Sequence, residues 1–170
     1  MKVAAYQASL SDTQSIDTAL ASVAAQVRFC EAESIDLLCC PEAVLGGLAD
    51  YHARPFQSAL DPARLRQLLT PLASDTVTTI VGFTEAGPDG ALFNSAAVFS
   101  KSVVAGVYRK HHPAIHRSVY TAGHETPVFE VDGMTFGIVI CHDSTFTEPM
   151  ATLVSRGARV VLVPTNNRMP

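Results

Sequence analysis

The sequence predicts a mixed α/β protein, a β-sheet with helices on its outer faces. Three observations lead there. Short, nearly continuous apolar runs alternate with amphipathic helical stripes over the first half of the chain. The second half turns to hairpin chemistry, with Gly87-Pro88-Asp89-Gly90 and Asp132-Gly133 between apolar segments. No run is long enough to be a bilayer-spanning helix, so apolar content of 48% has to be buried in a core.

Lys2 to Ala8 reads as the first strand. Ile16, Ala19, Leu20, Val23, Ala24 and Val27 repeat at i, i+3, i+4, i+7, the stripe of an amphipathic helix, with Asp12 or Ser15 as its cap. Ile35 to Cys40 is almost continuously apolar, as a strand buried on both faces is, and ends at Pro41-Glu42. Asp61-Pro62 offers a cap and a first-turn proline for a helix carrying Leu65, Leu68, Leu69 and Leu72 on one face. Val77 to Phe83, Asn94 to Phe99 and Val103 to Tyr108 follow as strands. Arg109 to His124 lacks a period and reads as a loop. Pro127 to Val131 and Met134 to Ile140 flank Asp132-Gly133, a type I′ hairpin signal. A short helix from Glu148 to Arg156, closed by Gly157, precedes a last strand from Arg159 to Val163.

With 170 residues and a formal net charge of −4, the chain suits one domain, residues 1–170. Low charge with high apolar content excludes disorder. Twelve Lys and Arg against sixteen Asp and Glu leave no basic stripe for nucleic acid. The N-terminus turns polar too early for a signal peptide, which with the absence of a membrane span predicts a soluble, cytoplasmic protein. The cysteines (Cys30, Cys39, Cys40, Cys141) form no CxxC pair, and neighbouring Cys39 and Cys40 should face opposite ways along a strand.

Chemistry is sought where strands end. Cys141 closes the run MTFGIVI immediately before His142-Asp143-Ser144-Thr145. A thiol at a turn leading toward a helix is exposed to converging backbone N–H groups, as nucleophiles in other hydrolases are; the plain alternative is a buried cysteine finishing a core strand. Glu42 follows another buried strand, where desolvation would suit a general base, although an exposed loop Glu is the commoner case. Lys110 ends VYRK, either as a solvated charge or as an oxyanion partner. His111, His112, His116 and His124 could ligate zinc, but no HExxH or structural Cys/His spacing accompanies them, so pocket-shaping histidines are preferred and no metal is expected. No phosphate-binding glycine motif occurs.

On these residues the sequence resembles the carbon–nitrogen hydrolase (nitrilase-like) superfamily. KVAAYQASL resembles its first strand, LLCCPEAVLGG the segment of the general-base Glu, VAGVYRKHH that of the catalytic Lys, FGIVICHDSTFTEP the nucleophile elbow and RGARVVLVPTNN the strand after it. The resemblance implies an αββα sandwich and cofactor-free acyl transfer. Cys141 would be the nucleophile, Glu42 the base, and Lys110 with the His142 backbone N–H the oxyanion donors. Two departures accompany it. Many members carry a second Glu at the position that falls near His116, and Glu125 does not match that motif, leaving His116 and His142 as candidate substrate-binding residues. Members also continue past Val163, so the resemblance implies a domain lacking its C-terminal portion. His142-Asp143 after the cysteine is closer to amide- and carbamoyl-cleaving branches than to nitrilases proper. The reading is therefore a cysteine amidohydrolase acting on a small linear amide or N-carbamoyl compound, as a homo-oligomer. The alternatives are an inactive fragment serving in binding or assembly, and a nitrile hydrolase.

Overall fold

A computed structural model describes residues 1–9, 15–48, 58–113 and 118–166. Among these residues, eight strands form two sheets. The first runs β1 (Val3–Ala5), β2 (Leu37–Cys39), β3 (Thr78–Ala86), β4 (Leu92–Ser100) and β5 (Val103–Arg109) side by side in that order. Pairing is parallel from β1 to β3 and antiparallel from β3 to β5. The second sheet is β6 (Val128–Val131), β7 (Met134–Ile138) and β8 (Val160–Leu162), with β7 in the middle.

Side-chain alternation separates two cores. Leu38, Cys40, Val81, Phe83, Ala97 and Phe99 pack on one face of the first sheet with Ala19, Val23 and Val27 of helix α1 (Ile16–Ala32). Leu65 of helix α2 (Pro62–Leu68), then Leu69 and Leu72, joins the same core. On the opposite face, Leu37, Cys39, Ile80, Ala96, Val98 and Tyr108 meet Phe136, Ile138, Ile140 and Leu162 of the second sheet. Helix α3 (Thr147–Ser155) covers that sheet's outer side, where the Leu153 side chain lies so close to Gly137 that no Cβ fits there. The layers are helix, sheet, sheet, helix. Cys39 and Cys40 do face opposite cores.

Local chemistry explains the elements. Ser15 Oγ accepts the Thr18 N–H and caps α1; Asp12 lies outside the described residues. Asp61 accepts from the Ala63 and Arg64 N–H groups, with Pro62 in the first turn of α2. Asp132 and Gly133 both take positive φ, as a type I′ turn requires.

Some boundaries move. The first strand is Val3–Ala5 rather than Lys2 to Ala8, because β2 pairs with those three residues alone. β3 runs on to Ala86, since Thr84, Glu85 and Ala86 pair with Asn94, Phe93 and Leu92. The leucine stripe of α2 is broken: the helix stops at Leu68, and Leu72 sits in a separate 3₁₀ turn containing Pro71, which cannot donate to a continuing helix. Arg109, expected in the loop, is the last residue of β5. Among the described residues, no helix is long and apolar enough to cross a membrane.

Candidate active site

Glu42, Lys110 and Cys141 end up together. Glu42 lies in the turn after β2, with only 2% of its surface exposed. Its backbone is pressed against Gly82 of β3; a Cβ on Gly82 would overlap the Ala43 nitrogen and the Pro41 carbonyl oxygen. Lys110 follows β5 and is equally buried. Its backbone N–H donates to the Asn94 carbonyl oxygen at 2.8 Å, while its own carbonyl accepts the Gly123 N–H at 2.8 Å. Gly123 is confined against the Arg109 backbone in the same way that Gly82 is against the Glu42 turn. Cys141 opens a 3₁₀ turn after β7 (Cys141–Thr145), at φ +46°, and its N–H donates to the Pro164 carbonyl oxygen at 2.9 Å. A left-handed, non-glycine residue where strand becomes turn is the geometry of a nucleophile elbow.

The Glu42 carboxylate organises the cluster. Oε1 accepts from Lys110 Nζ at 2.6 Å and from Asn94 Nδ2 at 2.7 Å, and Oε2 accepts from the Asn166 N–H at 3.0 Å. The Cys141 thiol hydrogen-bonds to the same carboxylate. Burial, and then the negative charge of Glu42, push this thiol above its ordinary value; Lys110 and the Asn166 N–H pull the other way. The resting group is thus a neutral thiol beside a carboxylate. A cavity of about 460 Å³ adjoins the cluster, bordered by Glu42, Pro41, Asn166, Tyr6 and Gly47.

Other predicted residues fall elsewhere. The His142 side chain meets Phe146 edge-on at 5.1 Å between ring centroids. His116 lies outside the described residues. His111 is stacked on Tyr108 and bonded to the Glu125 carbonyl oxygen, and His112 contacts Asp143. Among the described residues, no group of three His, Cys, Asp or Glu side chains is arranged to hold a metal.

Sequence reasoning missed Asn94, Asn166 and the central role of Asp143. Asn94 sits within an otherwise well-packed strand, where a polar residue needs a partner, and that was its only signal. Asp143 is fully buried and accepts hydrogen bonds from the Tyr108 hydroxyl and from the segment following Lys110.

Comparison with known proteins agrees with this architecture. A protein of Pseudomonas protegens named as a hydrolase in the pqqF 5' region is 31% identical over 146 residues, covering 82% of this chain and 51% of that protein. A glutamine-dependent NAD(+) synthetase of Acinetobacter baylyi is 29% identical over 155 residues, covering 87% of this chain and 28% of the synthetase. Among solved structures, the glutamine-dependent NAD+ synthetase of Acinetobacter baumannii superposes with a TM-score of 0.76 at 26% identity, over 92% of this chain and 30% of that one. A mutant of the Nesterenkonia AN1 amidase from the nitrilase superfamily superposes at 0.81 with 20% identity, over 97% of this chain and 64% of that one, a likeness of fold. The chain therefore spans about half, or less, of the length of these curated relatives. The carbon-nitrogen hydrolase family model matches residues 2–170, and the chain belongs to that family.

Proposed function

We propose that the chain hydrolyses a C–N bond in a small linear amide or N-carbamoyl compound through a thioester on Cys141. The observation that carries this reading is that one buried carboxylate, that of Glu42, engages both the Lys110 ammonium and the Cys141 thiol. Because the thiol is raised, it needs a base at the moment of attack, and the Glu42 carboxylate already accepts its hydrogen bond. The sulfur attacks the amide carbon as Glu42 takes that proton, and the carbonyl electrons move onto oxygen. Lys110 and the backbone N–H of His142 donate to this oxyanion. Collapse breaks the C–N bond, and Glu42 returns the proton to the departing nitrogen as ammonia or an amine. Glu42 then deprotonates a water that attacks the thioester, releasing the acid and restoring the thiol. His142 and His116 are proposed as substrate-contacting residues on the motif resemblance alone, and His116 lies outside the described residues.

Relatives named as glutamine-dependent synthetases, a formamidase and a nitrilase make amide and nitrile carbon the chemistry to survey. Amides are favoured by His142-Asp143 directly after the cysteine. The test is ammonia release from a panel of glutamine, formamide, propionamide, N-carbamoyl amino acids and simple nitriles, with Cys141→Ala in parallel. Turnover that vanishes in the variant supports the reading, and turnover that persists refutes it. A wild-type chain that is inert on the whole panel, with a Cys141 no more reactive than Cys30, favours the binding-module alternative.

A further inference from the structure

We propose that Asp143 is a positioning residue that fixes Lys110 and Cys141 relative to one another; this rests on the reading of those two residues as catalytic. Its carboxylate is wholly buried and is approached by five donors from three segments. Oδ2 accepts the Tyr108 hydroxyl at 2.7 Å, the His111 N–H at 3.3 Å and the Ile140 N–H at 3.3 Å. Oδ1 accepts the His112 N–H at 2.8 Å and lies 3.1 Å from His112 Nδ1. His112 is held in turn by Phe146, its ring stacked at 3.7 Å between centroids.

The placement of those donors gives the carboxylate its role. The two N–H groups of His111 and His112 belong to the residues directly after Lys110. The N–H of Ile140 belongs to the residue directly before Cys141. One side chain thus joins the strand end of the first sheet that bears the ammonium to the strand end of the second that bears the thiol. Three of the five donors are backbone N–H groups, which cannot accept. An asparagine at this position, in either orientation, sets its own N–H against at least one of them. The tie loosens on one side or the other, and a displacement of about 1 Å between reacting groups costs on the order of a hundredfold in rate.

The sign of the effect separates positioning from plain electrostatics. The charged groups facing the Cys141 thiol are Glu42, which raises it, and Lys110, which lowers it; the Asn166 N–H also lowers it. Removing a negative charge at Asp143 would by itself make the thiol more acidic. Letting Lys110 drift away would make it less acidic, and so slower to react at a given pH.

The experiment is iodoacetamide alkylation of Cys141 in the full chain from pH 7 to 10, followed by peptide mass spectrometry. The proteins compared are wild type, Asp143→Asn, Lys110→Met and Tyr108→Phe, each checked for folding by circular dichroism. Asp143→Asn is expected to slow alkylation several-fold and move its pH profile upward, in the direction of Lys110→Met. On an amide that wild type turns over, its kcat falls about a hundredfold with little change in KM. Tyr108→Phe, which removes one contact and keeps the carboxylate, gives a smaller shift in the same direction and decides the matter if Asp143→Asn does not fold. Alkylation as fast as wild type or faster, in a folded Asp143→Asn or else in Tyr108→Phe, overturns the proposal. Turnover that survives Cys141→Ala instead overturns the reading beneath it, and the two failures are told apart.

Discussion

Replacing Glu42 by glutamine should destabilise the fold more than replacing Lys110 by methionine, and the double variant should recover much of the loss. The pair is buried on both sides, with side-chain exposures of 5% and 2%, at 2.6 Å. At an effective dielectric near 20, that separation corresponds to a Coulomb term of about 6 kcal/mol, most of it offset by the cost of taking both ions out of water. The net pair is therefore worth little, but either ion alone is expensive. In Glu42→Gln the Lys110 ammonium loses its charge partner, for a loss of about 3–5 kcal/mol. In Lys110→Met the carboxylate keeps the Asn94 and Asn166 donors, so the loss is smaller, about 1–3 kcal/mol. Glu42→Gln with Lys110→Met removes both charges and should lie within about 2 kcal/mol of wild type, a coupling well beyond additive error. Urea unfolding followed by far-ultraviolet circular dichroism measures all four proteins, with m compared across the set. A Glu42→Gln variant as stable as wild type, or losses that simply add, would refute the account of the pair. Activity should be lost in all three variants, including the one whose stability returns.

Three further outcomes follow from the same structure. Gly82→Ala drives a Cβ into the Pro41-to-Ala43 backbone and should cost about 1–3 kcal/mol while cutting turnover disproportionately, because the Glu42 turn is what must move; an unchanged kcat in the folded variant would contradict this. Cys39 is pushed up to about 11 by burial, from 9.0, so an unfolded chain loses that proton before the folded one does. Its contribution to stability is full below pH 9 and is lost as pH rises toward 11, by about 3 kcal/mol at a slope of about 1.4 per pH unit, and Cys39→Ala should show a shallower alkaline decline in urea midpoints. Asn94→Leu removes a donor from Glu42 Oε1 and should cost about 1–3 kcal/mol, with kcat falling more than KM rises; steady-state kinetics beside a melting curve separate the two effects.

The parts of the fold that were legible in the sequence are those with a local cause. Nearly continuous apolar runs located β2 and β7, and a period-3.6 stripe located α1; Ser15, Asp61-Pro62 and Asp132-Gly133 marked the starts of α1 and α2 and the turn between β6 and β7. What escaped depends on partners far along the chain. Thr84 and Glu85 look like the end of a strand, but they are buried, with Thr84 meeting the Tyr120 hydroxyl and Glu85 taking Ser95 and Arg109. Glu42, Lys110 and Cys141 could each be picked out at a strand end, and motif resemblance gave them roles. Their contact could not be read from spacing, because 68 residues separate the Glu from the Lys it bonds. Asn166, 124 residues from Glu42, carried no signal at all.

That dependence on distant partners has a consequence for where the chemistry can exist. The first sheet delivers Glu42, Lys110 and Asn94; the second delivers Cys141 and, through the segment after β8, Asn166. Neither sheet owns a complete site. The inter-sheet core of Leu37, Ile80, Tyr108, Phe136 and Ile138 is therefore what sets the distance between the Glu42 carboxylate and the thiol, and Tyr108 reaches across it with its hydroxyl on Asp143. A buried ion pair contributes little net stability here and would be replaced without loss by apolar residues if packing were all that mattered. Beside a thiol at a left-handed elbow, the pair is what the proposed reaction would use, and the apolar core supplies the stability that lets it persist.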